Sequence, residues 1–356
     1  MFKKGCLIAL GLLVGLFTVS YGLIQRRLTQ LKPSPTIEET PTTIIGFNHI
    51  GLVVKDLDQM LDFYQRATNF ELVSREKVSN NEAANRLFGQ DTVSYEVATL
   101  KCPNFLLELT QFDHQTDTII EKMPPYGPGM THTCFQTSEK NSGYRKFVDV
   151  GVDMITRGNE PIDLGGYGVT YAYAHDPEGN MVELEQMSDF VIWLKIDEDF
   201  SEKHKMWMTQ VAIMTPNIKE LAAFYEDVYE VAPYRWSDIE PMEVMAKVID
   251  LEGVSLKGAW FMLDGKEKKM ELFQYGGTHP TPNTTYKRSP TELGYTFSIE
   301  VLDIQKEYER LKAKGVEFLS EPQEVGKFRT VFARDTDGNI FSLRQALDPA
   351  FSAPNI

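Results

Sequence analysis

Two histidines and two glutamates stand where their types are unexpected. His49 lies in the apolar run FNHIGLVV and His132 in GMTHTCF, while Glu108 interrupts PNFLLELTQF and Glu183 interrupts NMVELEQ. A carboxylate inside an apolar strand needs a partner, because burying an unpaired charge is very costly. Alternate side chains of a strand share a face, so His49 and Gly51 point one way and Ile50 and Leu52 the other. Two imidazoles and two carboxylates at matching places make a donor set for one divalent ion, and that set suits zinc, nickel, iron, cobalt or manganese. Cys134 follows His132 by two residues and shares its face. Tyr171, Tyr173 and His175 alternate onto one face, where they either meet a small-molecule substrate or pack.

The elements that position these residues repeat. FNHIGLVVKDLDQMLDFYQRATNFELV reads as a strand, an Asp-initiated helix with Leu57, Met60, Phe63 and Tyr64 on one face, and a second strand. MTQVAIMTPNIKELAAFYEDVYEVAPY matches it with an offset of 161, Phe63 and Tyr64 returning as Phe224 and Tyr225. GMTHTCFQTSEKNSGYRKFVDVGVDMI likewise returns as GYTFSIEVLDIQKEYERLKAKGVEFL with an offset of 164. The latter two end in tight turns, Asp176 to Asn180 and Asp335 to Asn339, whose Gly and Asn are expected to supply positive φ. Four modules of strand, helix and short strands follow, in two pairs, giving two α+β domains.

In the second pair Gln210 stands where His49 does and Glu271 matches Glu108, but Phe297 replaces His132 and Ser342 replaces Glu183. Phenylalanine cannot ligate a cation, so the sequence expects one metal per chain, in the first pair.

Net charge is −15, and the first 27 residues contribute four bases and no acid. A body that acidic repels phosphate backbones, which argues against nucleic-acid partners. With three cysteines there is no disulfide framework. Cys6 to Ile24 is a run of 19 uncharged residues, close to the ~20 that cross a bilayer as a helix. The expected organisation is a membrane anchor or signal segment at 1–27, a Pro/Thr-rich tether at 28–43, a metal-binding domain at 44–190, a linker at 191–204, a degenerate domain at 205–347 and a tail at 348–356. The short basic start ahead of the apolar run places the body outside the cytosol, periplasmic or secreted if the segment is cleaved.

At HIGLVVKDLD, FLLELTQF and DPEGNMVELEQ the chain resembles the vicinal oxygen chelate superfamily, which includes glyoxalase I, epimerases, extradiol dioxygenases and fosfomycin- and bleomycin-resistance proteins. The likeness spans about residues 44–347. It implies a glyoxalase-like fold of four βαβββ modules in two pairs, each pair a cup around a metal. Within it His49, Glu108, His132 and Glu183 are similar to the ligands of bacterial glyoxalase I. Glu183 or Glu108 then takes a proton beside a carbonyl, as in a lyase, isomerase or epimerase. The other readings are an Fe(II) dioxygenase on His49, His132 and Glu183, and a binder without catalysis. Glutathione-using relatives carry Arg and Asn where this chain has Val53 and Phe112, so a glutathione adduct fits poorly.

Overall fold

Asp56 begins the first helix by accepting a hydrogen bond from the Gln59 backbone, and Asn217 and Asp303 do the same for Glu220 and Lys306. Each cap satisfies an amide the helix itself leaves unpaired, so the repeated Asp or Asn is a structural signal. A computed structural model describes residues 42–114, 121–166, 168–196, 198–263, 268–283 and 286–352. The apolar run Cys6 to Ile24 and nearly all of the tether lie outside the described residues. Among the described residues no helix is long and apolar enough to cross a membrane.

Module one comprises β1 (Ile44–Val53), α1 (Leu57–Thr68), β2 (Glu71–Ser79), α2 (Glu82–Phe88), β3 (Ser94–Lys101) and β4 (Leu106–Phe112). Module two is β5 (Gly129–Ser138), α3 (Gly143–Asp149), β6 (Asp153–Met154), β7 (Ile162–Asp163), β8 (Val169–His175) and β9 (Met181–Met187). Two short helices, α4 (Asp189–Lys195) and α5 (Glu198–Lys203), lead to module three: β10 (Met206–Met214), α6 (Ile218–Tyr229), β11 (Arg235–Ile239), α7 (Glu243–Ile249), β12 (Val254–Met262) and β13 (Lys269–Gly277). Module four is β14 (Gly294–Val301), α8 (Ile304–Ala313), β15 (Glu317–Phe318), β16 (Gln323–Val325), β17 (Phe328–Arg334) and β18 (Ile340–Ala346).

The four modules are as expected, but their sheets pair differently. β1 runs antiparallel to β14, so modules one and four share one nine-stranded sheet; β5 runs antiparallel to β10, so modules two and three share the other. Sequence neighbours meet instead on the helical side. Tyr64 of α1 donates to Asp176 in module two at 2.9 Å, and Tyr225 of α6 donates to Asp335 in module four at 2.9 Å. Ile50 and Leu107 of one sheet and Val182, Leu184 and Val211 of the other belong to a single apolar core. Since side chains alternate, the polar faces of both sheets look away from that core.

In the turns only the glycines take positive φ, Gly179 at 86° and Gly338 at 83°. A Cβ on Gly179 would lie 2.1 Å from the Glu121 carbonyl oxygen. Asn180 and Asn339 instead bind the aspartate that opens the turn, through backbone and side chain.

Candidate metal centre

Crossed pairing separates the four residues expected to share a metal. His49 and Glu108 meet on the sheet of modules one and four, with His49 Nε2 3.5 Å from Glu108 Oε2. His132 and Glu183 meet on the other sheet, with Nε2 3.3 Å from Oε2. The single site drawn from all four is therefore corrected. The residues that join His132 and Glu183 come from module three, because β10 and β13 lie beside β5 in the same sheet.

On that sheet Ala212 of β10 pairs with His132 on one side and Glu271 of β13 on the other, and Cys134 pairs with Glu183. Gln210 is one pleat from Ala212 on the same face and donates its Nε2 to Glu183 Oε2. Its Oε1 accepts from Thr209 Oγ1 at 2.8 Å. Tyr173 donates its hydroxyl to Glu183 Oε1 at 2.7 Å and sets its ring edge-on to His132. Thr131 Oγ1 holds His132 Nδ1 at 2.8 Å, while the buried Nε2 has no hydrogen bond. Such an orphaned ring nitrogen, steered by a bond to its other nitrogen, is how a metal-binding imidazole is prepared.

The electrostatics are lopsided. Burial pushes Glu183 up to about 7, Glu185 to about 7 and Glu271 to about 8, and each of Glu185 and Glu271 is raised further by Glu183. Lys269 pulls the other way on all three without overcoming burial. Burial likewise lowers His132 to about 4, so its imidazole is neutral and can ligate. Glu185 is held by Gln136, which accepts from the Trp207 indole at 2.8 Å. Among the described residues no three His, Cys, Asp or Glu side chains already form a closed metal cage, Glu183 being engaged by Gln210 and Tyr173. The donors nonetheless fit a divalent cation in kind, with one free imidazole nitrogen, two carboxylates and an amide oxygen.

The other cup answers the same problem differently. Arg344 on β18 binds Glu108 with both terminal nitrogens, at 2.7 and 2.9 Å. Burial pushes Glu108 up, but Arg344, His49 and Lys327 together hold it down at about 2. Burial and then Arg344 depress His49 to about 3. Ser298 pairs with Ser342 as Cys134 pairs with Glu183, so Thr296, not Phe297, is the counterpart of His132; Phe297 turns into the core. Thr296, Ser342 and Arg344 thus replace His132, Glu183 and Glu185.

Of the residues proposed to line a substrate cavity, Cys134, Tyr171 and Tyr173 lie on the face of Glu183. Burial pushes the Cys134 thiol well up, so it is an inert neighbour. His175 bonds the Met123 carbonyl at 2.8 Å and packs. Gln210 and Glu271 stand in the sequence as repeat-related positions, whereas nothing in the repeat marks Arg344; the missing information is which modules share a sheet.

A family model described as the Glyoxalase/Bleomycin resistance protein/Dioxygenase superfamily matches residues 46–184 and 207–343. The chain is 24% identical over 144 residues to Glyoxylase I 4 of Arabidopsis thaliana, covering 40% of this chain and 72% of that protein. It is 25% identical over 176 residues to a lactoylglutathione lyase of Pseudomonas aeruginosa, covering 45% and 93%. Glyoxalase I from Zea mays shares the fold with a TM-score of 0.53 at 18% identity, over 84% of this chain and 92% of that one. A Bacillus subtilis protein grouped with dioxygenases does so with a TM-score of 0.55 at 10% identity, over 87% of each.

Proposed function

Since this chain belongs to the glyoxalase/bleomycin resistance protein/dioxygenase superfamily, we propose that it is a metal-dependent enzyme of the glyoxalase type, with one divalent ion held by His132, Glu183, Gln210 and Glu271. One observation carries this reading. The four donors stand at repeat-related places of one sheet, around three carboxyls whose ionisation burial disfavours and whose negative charge a cation would compensate. For Gln210 to present its oxygen the amide turns over, exchanging its Thr209 and Glu183 partners.

A bound divalent ion supplies Lewis acidity to two adjacent substrate oxygens. The chain's own part is to move the proton. Tyr173 fixes Glu183 by one oxygen, so Glu271 is the base that takes the proton next to the carbonyl, with Glu183 its partner across the sheet. Glu108, paired to Arg344 in the other cup, is removed from that role. Met214 and Tyr275 hold the places in this cup that Val53 and Phe112 hold in the other, so it too lacks the polar grips of glutathione users, and its substrate is a small carbonyl compound without that thiol. The apolar run Cys6 to Ile24 anchors the body outside the cytosol in the same proposal.

Elemental analysis of the full chain after reloading tests the site. One ion per chain is expected, lost in His132→Ala and kept in His49→Ala; no ion, two ions, or the reverse dependence overturns it. Stoichiometric dioxygen uptake with catechol would replace the glyoxalase reading by a dioxygenase on the same residues. Sedimentation of the full chain with membranes, and of a chain starting at Thr42 without them, tests the anchor.

A further inference from the structure

We propose that the cup of modules one and four is a second, metal-free binding site, for an uncharged aromatic molecule of about one ring that carries a hydroxyl or carbonyl. The cavity there has a volume of about 130 Å³ and is lined on its polar side by His49, Tyr95, Glu108, Thr296 and Arg344. Apolar cavities of about 150 Å³ in protein cores take up benzene, so the size matches one substituted ring. Its other wall is aromatic. Phe88, Tyr95 and Phe112 stand with ring centroids 5.1 to 5.5 Å apart, and Phe332 closes on Phe88 at 5.3 Å.

Charge selects the ligand. The Glu108–Arg344 pair is fixed and bidentate and a second pair, Lys327 with Glu76 at 3.0 Å, also lines the cavity, so its charges are balanced in sign. A ligand carboxylate or ammonium would face both signs at once, gain little net attraction and still pay its own desolvation. A metal ion is excluded as well, since the guanidinium already occupies the carboxylate and Thr296 and Ser342 have replaced two ligands. A neutral hydroxyl or carbonyl does not meet this cost. Two groups wait for it: the hydroxyl of Tyr95, a residue 8% exposed, makes no hydrogen bond among the described residues, and the buried Arg344 Nε has none either. Burial raises Tyr95 to about 12, so it remains a protonated donor across the physiological range.

Phenol is the probe, titrated into the metal-loaded full chain and followed by saturation-transfer NMR and calorimetry, with benzoate as the charged comparison. Phenol is expected to saturate one site, with benzoate weaker by about tenfold or more because its charge must be desolvated beside Glu108. Val97→Phe fills the cavity and should abolish phenol binding, whereas Tyr95→Phe keeps the ring and should weaken it about fivefold through one lost hydrogen bond. His132→Ala should leave phenol affinity unchanged, which separates this site from the proposed metal centre. The proposal is overturned if phenol shows no saturation, if benzoate binds equally, or if Tyr95→Phe binds as the parent does. It is also overturned if His132→Ala removes the binding. Should Val97→Phe not fold, Tyr95→Phe decides.

Discussion

The two cups share strand order, register and repeat ancestry, yet they treat the same buried carboxylate in opposite ways. Glu108 and Glu271 occupy equivalent positions, each one strand from the first strand of its module and level with Gly51 or Ala212. Beside Glu108 the chain supplies its own cation, Arg344. At the place of Arg344 the other cup has Glu185, and its three carboxyls are left needing positive charge. The difference is one of electrostatic self-sufficiency: a cup that carries its counter-ion can fold and stay empty of metal, and one that lacks it is prepared to take an ion.

Exchanging donors for near-isosteres should separate the two cups most strongly. Glu271→Gln should lower metal affinity at least about 100-fold and take activity with it, since a ligand and the proposed base are lost together. Glu108→Gln should leave both unchanged. Metal titration of the two variants side by side reads this, and equal losses would mean that both cups contribute to one centre.

The next effect belongs to the cup with its own cation. Arg344→Ala leaves Glu108 buried without its hydrogen-bonded counter-ion, a change that typically costs about 3–5 kcal/mol. Replacing both partners by apolar residues, Arg344→Met with Glu108→Leu, should recover most of it, because the desolvation cost goes with the charges. Urea unfolding at fixed metal content measures both, and a double variant no better than Arg344→Ala would show that the pair is worth more than its desolvation.

Opposite pH dependences follow from the same contrast. Glu271 in the metal-stripped chain binds its proton more tightly folded than unfolded, so its contribution to stability is full below about 4.5 and is lost as pH rises toward about 8. Glu183 and Glu185 act in the same direction up to about 7. Glu108 is the reverse: its contribution is present above 4.5 and is lost as pH falls toward about 2. Thermal melts of metal-stripped protein should therefore fall by several degrees between pH 5 and pH 8, and reloading with metal should remove most of that fall. A flat profile in the stripped chain would mean that the three carboxyls are hydrated or already compensated.

Local structure follows the sequence closely. α1 appears at Leu57–Thr68 as its apolar spacing and Asp56 demand, and the tight turns fall where Asp176 and Asp335 announce them. The faces were also legible, since a period of two fixes that His49 and Gly51 share one. The partner of each sheet edge was not. Alternation says which side of a strand is buried but not which module lies beside it, and the connection between β4 and β5 is long enough to carry the chain to another sheet. Hence Gln210 and Glu271 find no second pair of donors in module four, where Ser342 faces the cup and Thr296, with Phe297 turned into the core, stands at the place of His132. α2 and α7, each seven residues long, were too short for periodicity to reveal.

A subtler contrast between the cups lies in the ring that faces the ligand strand. Tyr173 pairs across the ladder with Glu183, and Phe332 pairs in the same register with Ser342, so the two aromatic rings are counterparts that differ by a hydroxyl. In the proposed metal cup that hydroxyl holds one oxygen of Glu183 at 2.7 Å. Removing it in Tyr173→Phe should keep one ion per chain but weaken it about tenfold, the usual scale for loss of a ligand's supporting hydrogen bond. Adding it in Phe332→Tyr gives no metal, because Ser342 offers no carboxylate to orient and Arg344 still occupies Glu108. Competition of each variant against a chelator of known affinity measures the difference. An unchanged affinity in Tyr173→Phe would show that the hydrogen bond belongs to the metal-free cup alone and is exchanged for the ion when it binds.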